Sequence, residues 1–273
     1  MLKIQGLYAG YPDKSVLDDV TFEARSGEVT AIVGPNGCGK STLLKTLVGV
    51  VEKSAGEVFI GAVEGGAGAK SVRSLDELTP QERAQKIAYL AQSKNVPEIT
   101  ALRMVLHGRF PYLSFPRRYR SIDFDIARQA MERMGILELS NQPMSTLSGG
   151  TRQKVYIAMA LAQDTPVILM DEPTTYLDVS YQLQMMEVAR SLSEEGKTVV
   201  MVLHDLPMAL EHADQLVVMN EGKIAAAGES SAVWAEGSLE TVFGVRVNRV
   251  ETADGWKYYC VYDIGNTIRD KEI

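Results

Sequence analysis

Gly34-Pro35-Asn36-Gly37-Cys38-Gly39-Lys40-Ser41 is the stretch on which the reading of this chain turns. It fits the pattern G-x-x-x-x-G-K-[ST], follows the apolar run Val29, Ala31, Ile32, Val33, and leads into Thr42, Leu43, Leu44, Leu47 and Val48 at helical spacing. Strand, glycine loop and helix in that order are the context a phosphate cradle needs. Glycines let successive backbone N–H groups turn inward around phosphate oxygens, and the helix behind them adds the positive end of its dipole. Lys40 is expected to reach the β and γ phosphates, and the Ser41 hydroxyl to bind Mg²⁺.

Two further segments narrow the class. Val167-Ile168-Leu169-Met170 has the composition of a buried parallel strand and ends in Asp171-Glu172-Pro173. Acids at the carboxyl end of such a strand stand where open α/β sheets bind ligands. Asp171 is expected to hold Mg²⁺ through water, and Glu172 to orient or deprotonate the attacking water. The second segment is Leu147-Ser148-Gly149-Gly150-Thr151-Arg152-Gln153, where Ser148, Gly149 and Gly150 open a helix continuing through Val155, Ile157, Ala158 and Leu161. A hydroxyl and free N–H groups at a helix start form an anion site.

With these three segments in this order, the chain resembles the ATP-binding cassette ATPases over almost its whole length. The resemblance implies an α/β fold: a P-loop NTPase (RecA-like) core with a mixed sheet, an antiparallel β subdomain and an inserted helical subdomain. It implies ATP and Mg²⁺ as the bound species, with Gly34, Pro35, Asn36, Gly37, Cys38, Gly39, Lys40, Ser41 and Thr42 around the phosphates. Tyr11 matches the aromatic that stacks on adenine. Gln92, after Ile87-Ala88-Tyr89-Leu90, matches the glutamine that joins the metal site to the transport partner, so the metal residues are Ser41, Gln92 and Asp171. His204, after Thr198–Leu203, matches the histidine that contacts the γ phosphate. Glu172, His204 and Gln92 are thus the expected catalytic residues. Asp178, in Tyr176-Leu177-Asp178, matches the acid of the loop that crosses to a second subunit. The same resemblance, and not the spacing, implies a head-to-tail homodimer in which Ser148, Gly149 and Gly150 close on ATP held by the partner's loop.

Composition agrees. A chain of 273 residues, 45% hydrophobic, can bury a sizeable core. Its net charge of -7 argues against nucleic acid or an anionic membrane surface as the main partner. No run of about eighteen apolar residues occurs, and Met1–Gly10 lacks a signal-peptide core, so the expected location is the cytoplasmic face of the cell (inner) membrane, peripheral and reached through another protein. A disulfide from Cys38 to Cys260 would obstruct the nucleotide, which favours a reducing compartment.

The motifs also order the chain. Residues 1–228 read as the ATPase domain, with a helical subdomain over about 94–154 whose apolar spacing runs Ile122, Ile126, Ala130, Met134. Gly61 to Gly68 reads as a glycine-rich connection, and Thr79-Pro80-Gln81-Glu82 as a capped helix start. Residues 229–273 form a small C-terminal extension in which Trp256, Tyr258, Cys260 and Tyr262 alternate as in a strand. His107-Gly108-Arg109-Phe110-Pro111-Tyr112, Thr175-Tyr176-Leu177-Asp178 and Tyr181-Gln182-Leu183 look like the import ATPases for iron(III) siderophores, haem and cobalamin. Thr151 departs from the family's usual glutamine or glutamate, and Pro207 from the asparagine common in these importers. The resemblance implies an integral membrane permease as partner and, indirectly, an extracytoplasmic substrate-binding protein. Arg109, Arg117, Arg118 and Arg120 among Phe110, Tyr112, Phe115 and Tyr119 are expected to grip the permease. A cassette ATPase of DNA repair would carry a long heptad insertion, a ribosomal one usually two cassettes, and a non-catalytic module would lack Glu172 or His204.

Overall fold

The computed structural model describes residues 1–61, 72–92, 96–174, 178–253 and 255–262. All but Gly61 of the glycine-rich connection, and Thr175-Tyr176-Leu177, lie outside them.

The chain opens with β1 (Leu2–Tyr11) and β2 (Lys14–Ala24), antiparallel strands with alternating burial. Gly6, at φ 55°, takes up the register shift that lets Leu7 and Ala9 face the core after Ile4. Next come the wholly buried β3 (Val29–Val33), then α1 (Lys40–Leu47), β4 (Lys53–Ile60) and β5 (Arg73–Ser74). Helix α2 (Pro80–Ala84) carries the expected capping box between Thr79 and Glu82, and β6 (Ile87–Leu90) follows. Three helices come next, α3 (Ala101–Leu106), α4 (Ser121–Arg133) and α5 (Gly149–Ala162). The chain then alternates through β7 (Val167–Asp171), α6 (Val179–Glu194), β8 (Thr198–Val202), α7 (Leu206–His212), β9 (Gln215–Asn220) and β10 (Lys223–Glu229). It closes with α8 (Ser230–Ala235), α9 (Ser238–Phe243), β11 (Val245–Thr252) and β12 (Gly255–Tyr262).

One sheet has the order β2-β1-β4-β5 and is antiparallel; the other has the order β10-β9-β3-β8-β7-β6. In the second sheet β9, β3, β8, β7 and β6 run parallel and β10 antiparallel, so it is mixed as expected. Its two faces bury different cores. Val200, Val202 and Leu169 join α1 and the antiparallel sheet, whereas Val199, Met201 and Met170 join the helices of the opposite side. The carboxyl ends of β3, β6, β7 and β8 therefore lie along one edge, and their following residues are the phosphate loop, Gln92, Glu172 and His204.

One expectation for the helical lobe needs correction. The buried face of α4 carries Asp123, Ala127, Ala130 and Met131, while Ile122 is 51% exposed. Ala130 and Met134 of the apolar run are buried and Ile126 packs on the same core, while in the first turn the buried residue is Asp123, which receives Arg109 Nε at 3.2 Å and the Arg120 backbone N–H at 2.9 Å. Arg109 is accordingly buried, donating also to Ala162 O at 2.9 Å, and Tyr112 donates to Gln163 O at 2.9 Å. The motif His107–Tyr112 is thus a clasp between α4 and the end of α5, and Arg109 and Tyr112 do not form an open docking surface. Of the extension's alternating residues only Tyr258 is buried, edge-on to Trp234, while Glu211 of α7 accepts from Tyr258 N and Lys257 Nζ. Among the described residues no helix is long and apolar enough to cross a membrane.

Candidate functional site

The loop between β3 and α1 is shaped by three glycines with positive φ, at 159° for Gly34, 80° for Gly37 and 109° for Gly39. Space as well as φ requires Gly34, since a Cβ there would lie 2.2 Å from Met219 O and 2.7 Å from Cys38 Sγ. Cys38 is buried, Cys260 is exposed, and both thiols are free. Lys40 Nζ donates to Gly34 O at 2.7 Å and Pro35 O at 2.9 Å, so the loop's own carbonyls hold the ammonium at its mouth. A cleft of ≈ 250 Å³ opens beside it, lined by Tyr11, Asn36, Lys40, Ser41, Thr42 and Glu172 among others.

Donors from neighbouring elements hold both acids at the end of β7. Ser41 Oγ donates to Asp171 Oδ1 at 2.9 Å, and Tyr89 OH donates to Asp171 Oδ2 at 3.0 Å. Burial first, and then the neighbouring Asp171 charge, push the Tyr89 phenol above its ordinary value, so it stays a donor. Glu172 adopts φ 52°, the left-handed region that costs a non-glycine residue about 1–2 kcal/mol. That turn aims its carboxylate at His204 Nε2, 2.6 Å from Oε1, and at Gln92 Nε2, which donates to Oε2 at 2.6 Å. Gln92 thus meets Glu172 and not the Ser41–Asp171 pair. Ser41 and Asp171 are hard oxygen donors, the chemistry Mg²⁺ takes, and their 2.9 Å contact fits a shared cation.

Ser148 caps α5, accepting from Thr151 N at 3.2 Å, with its Oγ 2.8 Å from Thr151 Oγ1. Thr151, the departure noted in the sequence, thereby takes the third position of a hydroxyl-based cap. Pro207 stands in the first turn of α7, whose cap is Asp205, a position where a missing N–H costs nothing. Asp178 caps α6, accepting from Tyr181 N at 3.0 Å, and the Tyr181 ring lies 3.5 Å from where a Cβ of Gly150 would be. Among the described residues, no hydrogen bond joins Ser148, Gly149, Gly150 or Asp178 to the Gly34–Ser41 loop. One chain therefore gathers the loop, Asp171, Glu172, Gln92 and His204 at one sheet edge, and among the described residues the helix start at Ser148 makes no hydrogen bond to that loop. Sequence reasoning missed Tyr89, for which a lone hydroxyl in an otherwise apolar strand was the available signal.

A phosphate loop, two clamped acids and a histidine delivered to one edge of a parallel sheet define a phosphate-loop nucleotide hydrolase. The chain belongs to the ABC transporter family, whose sequence profile matches residues 17–175. It is 38% identical to the ferric enterobactin transport ATP-binding protein of Escherichia coli (strain K12) over 90% of this chain and 88% of that protein. It is 39% identical to the hemin import ATP-binding protein of Rhodococcus jostii (strain RHA1) over 92% of this chain and 82% of that protein. Among solved structures, it superposes on a dimeric post-hydrolysis state of an ATP-binding cassette bound to ADP and Pi with a TM-score of 0.70, 28% identity, and coverage of 84% and 99% of the two chains. As a member of this family the chain is an ATP-binding ATPase.

Proposed function

We propose that the chain is the ATP-hydrolysing subunit of an importer that energises uptake of a metal chelate, an iron(III)-siderophore, through an integral membrane permease. The observation that carries the chemical part is the pair of clamps on Asp171 and Glu172, which ties β6, β7, β8 and α1 into one site. The relatives that transport ferric enterobactin and import hemin support the cargo class.

In this reading Tyr11 stacks on adenine, and Lys40 exchanges the carbonyls of Gly34 and Pro35 for phosphate oxygens. Ser41 and Asp171 hold Mg²⁺, with Gln92 joining that metal site as ATP binds; the ion, when bound, offsets phosphate charge. Glu172 is a carboxylate oriented by His204 and Gln92, the type of group that accepts a proton from an attacking water. His204 contacts the γ phosphate and Gln92 links the site to the permease. Ser148, Gly149, Gly150 and Asp178 complete the nucleotide site of a second copy in a head-to-tail homodimer. A substrate-binding protein outside the membrane delivers cargo to the permease, and the chain sits on its cytoplasmic side.

The test is copurification of the membrane partner, reconstitution in vesicles, and side-by-side assay of ATP-dependent uptake of iron(III)-siderophore, haem and cobalamin. Siderophore uptake is the expected result. Haem uptake instead, which the hemin-importing relative favours as second reading, would reassign the cargo. An active ATPase that binds no permease would refute transport.

A further inference from the structure

Strands β6 and β7 run parallel with Tyr89 paired to Leu169. Leu169 and Asp171 share a face of the sheet one pleat repeat apart, about 7 Å, a reach that a phenol spans and an aliphatic side chain leaves without a donor. The Tyr89 hydroxyl accordingly meets Asp171 Oδ2 at 3.0 Å, while Ser41 Oγ from α1 meets Oδ1 at 2.9 Å. Two donors from opposite sides fix the plane of a carboxylate that is 3% exposed. Three residues beyond Tyr89, Gln92 donates to Glu172 Oε2, so the end of one strand grips two consecutive acids.

We propose that Tyr89 is a positioning residue for the metal arm of the ATPase site: by occupying Asp171 Oδ2 it directs Oδ1, with the Ser41 hydroxyl, toward the cation that accompanies the nucleotide. The inference rests on the reading of Ser41 and Asp171 as the metal pair. A ring that merely packed against its neighbours would need no hydroxyl, and the hydroxyl's partner here is a carboxylate of the site. Partners that orient a metal ligand typically contribute ten- to a hundredfold to metal affinity.

The variant is Tyr89→Phe, which keeps the ring and removes only the donor; its unfolding temperature without ligands checks the fold. Mn²⁺ binding is measured by electron paramagnetic resonance on the full chain saturated with a non-hydrolysable ATP analogue, and analogue affinity separately in EDTA. Mn²⁺ affinity should fall about tenfold or more, with analogue affinity in EDTA unchanged. Asp171→Asn should also weaken Mn²⁺, and Tyr89→Phe added to it should have little further effect, because the phenol acts through that carboxylate. Unchanged Mn²⁺ affinity in Tyr89→Phe beside a weakened Asp171→Asn overturns the role of Tyr89 alone. Equal loss from Tyr89→Phe in both backgrounds also overturns it, as a packing effect would be additive. Unchanged Mn²⁺ affinity in Asp171→Asn overturns the metal reading itself and the proposal with it.

Discussion

His204 Nε2 stands 2.6 Å from Glu172 Oε1, a contact that joins the end of β8 to the residue just beyond β7. With Gln92 on the other oxygen, the carboxylate is oriented from both sides. Glu172→Gln keeps the volume but sets an amide N–H₂ against His204 or Gln92 and removes the base. ATP binding should persist, and phosphate release by purified protein should fall by about two orders of magnitude or more. His204→Ala should lower turnover by about tenfold to a hundredfold, since one donor and not the base is lost. Near-normal phosphate release in Glu172→Gln would remove that residue from the chemistry.

Gly149 offers a cleaner probe of assembly than its position at a helix start suggests. A Cβ there would meet nothing within 4 Å, so the isolated chain should tolerate Gly149→Asp and still bind ATP. A charge at the mouth of the proposed partner site would cost several kcal/mol once desolvated. In a Glu172→Gln background, ATP-driven dimers on a sizing column should therefore disappear. Dimers that persist with ATP would show that this surface does not face a second nucleotide.

The phosphate loop, the acids and the helix at Ser148 were legible because each is a local pattern: a spacing, a strand composition, a cap. His204 and Gln92 have no such pattern of their own and were placed through the family resemblance, and the strand ends then brought both onto Glu172. What could not be read is the long-range pairing. Nothing local marks Asp123, fourteen positions from Arg109, as a buried acid. The helical spacing through Ile126, Ala130 and Met134 holds, but it gives no sign that Asp123 rather than Ile122 fills the first buried position of α4. Tyr89 likewise looks like any strand aromatic until the β6–β7 register puts it one pleat from Asp171.

Asp123 gives a prediction on stability. Burial is the largest single influence and pushes its carboxyl up, but the Arg120 backbone N–H and the Arg120 and Arg109 side chains together bring it below the usual carboxylate value. A carboxyl lowered by folding contributes stability that is fully present above its unfolded value, near 3.8, and lost as pH falls through the lower folded value. Asp123→Asn leaves the Arg109 guanidinium buried without its anion, and should destabilise the chain by about 3–5 kcal/mol at neutral pH. The difference from the parent should shrink toward pH 3 and below, in urea unfolding at both pH values. A constant difference across that range would mean that the charge is not what stabilises α4.

The burial of Arg109 narrows the surface on which a permease would bind. Arg109 and Tyr112 are committed to the lobe's interior, and Arg120 also bonds Asp123, which leaves Phe110, Phe115, Arg117 and Arg118 facing solvent. Phe115 is 96% exposed, and the Arg117 guanidinium lies over the Phe110 ring, 4.4 Å from its centroid. Aromatic and arginine side chains are the types enriched at protein interfaces, and a stacked guanidinium keeps its donors free for a partner. Changing Arg117 and Arg118 together to Glu reverses the charge there without touching the Arg109–Asp123 pair. ATPase activity and unfolding of the free chain should be unchanged, while ATP-dependent uptake by the reconstituted complex should fall by about tenfold or more, as expected for loss of interface anchors. Normal uptake in vesicles would place the docking surface elsewhere. Arg109→Glu, by contrast, should fail at the level of stability before coupling can be measured, because it sets two acids against each other in the lobe's interior.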